Sequence, residues 1–198
     1  MIASEKTIEH PMDARATDSQ RRAMLQEEHS ITRQRDSTEG LMEIAIEEAR
    51  KGMRRGDGGP FGAVVAKIGI DGKATVISKA HNSVFVAPDP TAHAEVVAIR
   101  RAAKKLGKEK LGKGYLVVAT TEPCPMCAGA INWAGISNLA YGTGIRDAKK
   151  FGFWETDVAA KKILRKGQTK NLKIVSGVLR GKCLSLFSEY EKIGGKKY

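Results

Sequence analysis

The chain is expected to fold as one α/β domain with helices on both faces of a mixed sheet, and three observations predict it. Apolar stripes at helical spacing alternate with short valine-rich runs from residue 38 to residue 192. One run, Tyr115 to Ala119, is apolar without alternation, as a central strand covered on both sides must be. With 198 residues, 41% of them hydrophobic, the chain is long enough for one substantial core and short for two.

In chain order, residues 1–37 are polar, charged and poorly periodic, include Pro11, and read as a flexible or partly helical leader without chemistry of its own. The folded domain is expected over 38–198. Leu41, Ile44, Ala45 and Ala49 form a helical stripe from Thr38 to about Lys51, ended by the glycine-rich stretch Gly56–Pro60. Phe61–Lys67 is a strand, Asp71 and Gly72 a hairpin turn, and Ala74–Ala80 the returning strand. Pro88 and Pro90 close a loop, and Thr91 is expected to cap a helix running to about Leu106. After the 115–119 strand, Pro123 and Pro125 introduce a helix to about Ala134. A strand at Ile136–Gly142, a helix at Asp157–Leu164, a strand at Asn171–Val178 and a helix at Gly181–Lys192 complete a three-layer α/β/α sandwich around a mixed five-stranded sheet.

The net charge is +12, and the first 38 residues hold six basic against seven acidic groups, so the excess lies in the folded part. A nucleic-acid partner is one reading of it. A lysine-rich soluble surface is the plainer one, because the lysines are spread out and not interleaved with aromatics. No apolar run approaches membrane-spanning length and no basic stretch followed by an apolar segment opens the chain, so a cytoplasmic location and no membrane partner are expected. Three cysteines, Cys124, Cys127 and the distant Cys183, do not make a disulfide framework. An odd count points to a reducing compartment and to metal or packing roles.

The chemistry concentrates in His93-Ala94-Glu95 and Pro123-Cys124-Pro125-Met126-Cys127. Two thiolates and an imidazole suit zinc with one coordination position left open, which is the catalytic pattern. Cys124 and Cys127, three residues apart, fall on one face of the helix opened by the two prolines, whose unpaired amides favour thiolate charge. His93 and Glu95 are expected in the first turn of their helix. Two residues apart they point differently, so one can bind the metal while the other reaches its water. A redox pair and half of a structural zinc knuckle are the competing readings of Cys-x-x-Cys. A knuckle needs a further ligand at suitable spacing, and His10, His29, His81 and Cys183 are not so arranged.

His-x-Glu with Pro-Cys-x-x-Cys is the zinc deaminase signature, and from about residue 39 onward the chain resembles the cytidine deaminase-like superfamily. The stretches Gly58–Val65, Asp89–Glu95 and Glu122–Cys127 look like the branch of guanine deaminases and tRNA adenosine deaminases. The first stretch, Gly152-Phe153 and the terminal Tyr198 look more like the small bacterial guanine deaminases. That resemblance implies a cytidine deaminase-like fold, one Zn2+ per subunit, a homodimer, and hydrolysis of free guanine to xanthine and ammonia. It makes His93, Cys124 and Cys127 the zinc ligands, and Glu95 the proton shuttle. Asn82 would bind the base, Phe61 and Phe153 would wall the pocket, and Glu155 would contact the amino edge of guanine and serve as a second catalytic acid, helping Glu95 move a proton to the leaving amino group. The tail with Tyr198 would close over a site, its own or a neighbour's. Trp154 departs from the acidic residue usual in that run. The rival reading is a tRNA adenosine deaminase forming inosine, for which the basic surface would hold RNA phosphates. Cytosine, guanosine or another aminated ring is a further alternative, and a non-catalytic nucleic-acid binder retaining zinc is disfavoured by the presence of Glu95.

Overall fold

The computed structural model describes residues 17–19, 21–22, 37–167 and 171–197. The expectation of a leader over 1–37 falls almost wholly outside them. Contacts divide the chain into two units, Met1–Arg33 and Gln34–Tyr198, and the sheet with its flanking helices belongs to the second.

Strand β1 (Gly62–Ile68) and strand β2 (Ala74–His81) form an antiparallel hairpin across a turn in which Gly72 takes φ 78°. β1 also pairs antiparallel with β3 (Tyr115–Thr121), and β4 (Asn138–Thr143) and β5 (Lys173–Ser176) continue the sheet in parallel. The order is β2-β1-β3-β4-β5. All seven residues of β3 are buried, as its unbroken apolar run requires. Strand alternation then divides the core. Val64 and Val118 pack with α1 (Thr38–Arg55) and α6 (Arg180–Lys192) through Leu41, Ile46, Leu186 and Phe187. Val65 and Val117 pack with α2 (Ala94–Leu106), α3 (Pro125–Trp133) and α5 (Ala160–Lys166) through Ala98, Ile131 and Leu164. The three-layer sandwich around a five-stranded mixed sheet is therefore the observed architecture.

Several boundaries differ from expectation. α1 runs to Arg55, because Met53 extends the buried stripe and Gly56, at φ 71°, supplies the left-handed cap; Ser37 caps its start by accepting from the Gly40 N–H. Thr91 does not cap α2. Its backbone N–H and hydroxyl both donate to Asp89 Oδ1 in a local turn, and His93 is the cap residue instead. A short helix that the sequence does not announce, α4 (Ile145–Lys150), follows β4. α5 begins at Ala160, three residues after the expected start. Asp157 faces Arg146 and Lys149 at 3.9 and 3.8 Å, while the Ala160 N–H is capped by Glu122. β5 is shorter than expected, since Asn171 (φ 60°) and Gly177 (φ 79°) break extended structure at both ends. No helix among the described residues is long and apolar enough to cross a membrane.

Candidate active site

Antiparallel pairing places the start of β1 and the end of β2 at the same sheet edge as the end of β3 (Gly62 pairs with His81, Ala63 with Ala119). Helices α2 and α3 begin at that edge, so both halves of the motif arrive there. Pro125 in the first turn of α3 leaves Cys124 as its cap residue, in extended conformation. His93 holds the same position on α2, with no side-chain capping bond to divert the ring. The expectation that His93 lies inside the first turn is corrected by one position: it precedes the helix, and Glu95 lies within it.

The ligand atoms of His93, Cys124 and Cys127 all lie within 4.8 Å of one another, the one such group of three among the described residues. His93 Nδ1 is 3.7 Å from Cys124 Sγ and 3.6 Å from Cys127 Sγ. A tetrahedral zinc with ordinary Zn–S and Zn–N bonds needs sulfur and nitrogen roughly 3.5 Å apart, so the donor set fits. Its protonation fits too. Hydrogen bonding from the Cys127 thiol, with help from His93 against the cost of burial, pulls Cys124 down to about 4. Cys127, which makes that bond and is itself buried, is pushed well above the ordinary thiol value. Burial lowers the His93 pKa, but its bond to Cys124 and the nearby Glu95 outweigh this, and the net shift is upward.

A narrow cleft opens beside the cluster. It is lined by Phe61, Asn82, His93, Glu95, Thr121, Glu122, Cys124 and Glu155. Glu95 is 7% exposed. Burial raises its carboxyl to about 7, the Cys124 charge adding to the effect and His93 opposing it. Burial and the Cys124 charge raise Glu155 to about 7 as well. Asn82 is fully buried. Its Oδ1 accepts from the N–H groups of Gly59 and Val84 at 3.2 and 3.3 Å, while its Nδ2 has no hydrogen-bond partner among the described residues. A buried amide with an unused donor on a cleft wall is ready for a ligand acceptor.

The structure thus brings Phe61, Asn82, Glu95 and Glu155 to one cleft. Phe153 does not line it: the ring is buried behind Phe61, at 5.1 Å between centroids in an edge-on contact. Tyr198 lies outside the described residues. The tail leading to it turns back on its own chain, with the Tyr190 hydroxyl donating to the Lys196 carbonyl and Lys196 Nζ 5.5 Å above the Phe85 ring. Cys183 is buried and packs beneath Gly142. Trp133 is 77% exposed and Trp154 is 92% exposed. Thr121 and Glu122 are cleft residues that sequence reasoning gave no role, although Glu122 stands inside the motif.

A model of the cytidine and deoxycytidylate deaminase zinc-binding region matches residues 35–143. The chain belongs to this zinc deaminase family. Its alignment with a guanine deaminase of Bacillus subtilis is 43% identical over 115 residues, covering 58% of this chain and 70% of the relative. Against a tRNA-specific adenosine deaminase of Buchnera aphidicola (subspecies Schizaphis graminum) identity is 32% over 151 residues, 76% of this chain and 91% of the relative. A structure solved in complex with 2,6-diaminopurine superposes with a TM-score of 0.71 at 27% identity, over 82% of this deaminase and 86% of that chain. The metal cluster and adjoining glutamate of this deaminase form the arrangement that hydrolytic deamination of an amino-substituted ring requires.

Proposed function

We propose that this deaminase hydrolyses free guanine to xanthine and ammonia. The observation that carries the reading is the cleft itself, which sets Glu95, Glu155 and the unused Asn82 amide around the His93–Cys124 edge of the metal cluster. His93, Cys124 and Cys127 would hold zinc, which would supply an acidified water at the cleft. Glu95 accepts a proton from that water and passes it to N3 of the ring, which makes C2 electrophilic. Oxygen adds at C2; Glu95 then takes the remaining proton of the added hydroxyl and gives it to the amino nitrogen, so that the C2–N bond breaks, ammonia leaves and the C2 carbonyl of xanthine forms. Burial raises the Glu95 carboxyl above the ordinary carboxylate range, which suits a group that both takes and gives protons. Glu155, as a carboxylate, accepts from the N–H edge of guanine, Asn82 Nδ2 donates to a ring acceptor, and Phe61, backed by Phe153, packs against the ring. A narrow cleft suits a free base better than a base carrying a polymer. The relatives that act on guanine and the solved relative that holds a diaminopurine support the same substrate class. Liquid chromatography of zinc-loaded protein with guanine tests the reading: xanthine and ammonia must appear in equal amounts.

A second reading, conversion of adenosine to inosine in tRNA, is favoured by the net charge of +12 and by the tRNA-specific relatives. It requires activity that falls steeply with salt. The proposal also includes a cytoplasmic homodimer, with residues 38–198 as the catalytic domain. Helix α3 carries no charged side chain and exposes Met126 (36%) and Trp133 (77%), an apolar face suited to a second copy.

A further inference from the structure

We propose that Glu122 is a positioning residue that holds the Ala160 end of the cleft wall carrying Glu155, together with the start of the helix that leads into that wall. This rests on the reading in which Glu155 contacts the substrate. The wall, residues 151–159, is neither helix nor strand, and it joins α4 to α5. A segment without its own backbone ladder holds a side chain in place only if its ends are fixed.

One carboxylate meets the Ala160 end of the wall and the start of α4, the helix before it. Glu122 Oε1 accepts from the Ala160 N–H at 3.0 Å, and Oε2 accepts from the Ile145 N–H in a longer bond of 3.4 Å. These are the first residues of α5 and α4, whose opening amides have no partner within their helices. α4 is further tied down by Asp147, which accepts from the Gly144 N–H and pairs with Arg180 at 2.7 Å. α5 lacks a side-chain cap of its own, so the Glu122 bond is the one that holds its start. Glu122 itself is two residues from Cys124 and follows β3 directly, the most buried strand of the sheet. The clasp therefore refers the position of Glu155 to the same rigid edge that sets the metal ligands.

Packing does not duplicate it. A second cavity, of about 380 Å3, lies on the far side of Glu122, between Ile145 and Ala159. Truncating the side chain would merge that cavity with the cleft and leave two helix starts without their acceptor.

The test uses full-length protein carrying Trp133→Phe, which leaves Trp154, beside Glu155, as the single tryptophan. Glu122→Ala and Glu122→Gln are compared in this background by zinc content, Trp154 fluorescence anisotropy, hydrogen exchange at the Ala160 amide, and kcat and KM for guanine. With Ala, zinc is retained at one per chain, anisotropy falls, Ala160 exchanges at least tenfold faster, and kcat/KM drops about 100-fold. Gln keeps one acceptor oxygen for the Ala160 N–H but turns a donor toward the Ile145 N–H, so kcat/KM lies between that of the Ala variant and that of the parent. Unchanged anisotropy and exchange in the Ala variant overturn the proposal, and so does a kcat/KM within threefold of the parent. If the parent does not turn over guanine, the substrate reading fails by itself, and the anisotropy and exchange results still decide the clasp.

Discussion

Replacing Glu95 by Gln separates its catalytic use from its cost to the fold. The side chain is 7% exposed, and burial lifts its carboxyl from 4.5 to about 7 in the chain alone. At about 1.4 kcal/mol per pKa unit, that rise is worth about 3 kcal/mol. Below pH 4.5 the group is protonated in folded and unfolded chains alike. Between pH 4.5 and 7 the unfolded chain releases the proton and the folded chain keeps it, so stability falls as pH rises through this window, and the whole loss is present above it. Gln does not ionise. The metal-free variant is therefore expected to be more stable than the parent by up to about 3 kcal/mol near pH 8, and by little near pH 4.5. Zinc-loaded variant should retain its metal yet lose about 10²–10⁴-fold in kcat. Urea unfolding of both metal-free proteins at the two pH values, with turnover of the zinc-loaded forms, makes the measurement. Equal stability near pH 8, or turnover surviving without the carboxylate, would refute the reasoning.

Zinc binding near pH 7 is expected to release about one proton or more per site, because Cys127 holds its proton until the metal displaces it while Cys124 is already a thiolate. Titration calorimetry in buffers of different ionisation enthalpy counts those protons, and affinity must rise with pH. Glu155→Gln should keep zinc and lower kcat/KM for guanine about 100-fold, since the amide turns a donor toward the N–H edge of the base; steady-state kinetics with a zinc assay checks both. Gly62→Ala is expected to destabilise the fold by about 3 kcal/mol or more, because the added Cβ would come within 2.0 Å of the Ala45 carbonyl in α1. Its urea midpoint against the parent reads that loss, and the two backbones have no flexible side chain between them to absorb it.

Covalent spacing is what the sequence makes legible. Cys124 and Cys127 are three residues apart on a helix that two prolines introduce, so their convergence needs no knowledge of the rest of the chain. The centre of the sheet is legible because β3 has no polar alternation. Features set by partners far along the chain are not. Helix α4 is six residues long, too short for an apolar period to register. α5 starts at Ala160 because a carboxylate 38 residues earlier caps it. His93 replaces Thr91 as cap because Asp89 captures the threonine, a local competition that a propensity argument does not weigh. Phe153 lies near the cleft as its resemblance implied, but the aromatic cluster with Phe187 and Tyr190 draws it one layer back. Glu122 sits in the motif in plain view, yet its partners are visible only once α4 and α5 are placed.

The central claim is that a small free base is the substrate, and it is tested most directly by following ammonia release from zinc-loaded protein offered guanine, guanosine, adenine, cytosine and a tRNA anticodon stem-loop in parallel. Release from guanine, with equal xanthine and little dependence on salt, is the predicted result. Silence with every free base, together with salt-sensitive appearance of inosine in the stem-loop, would contradict it and make the basic surface the binding face.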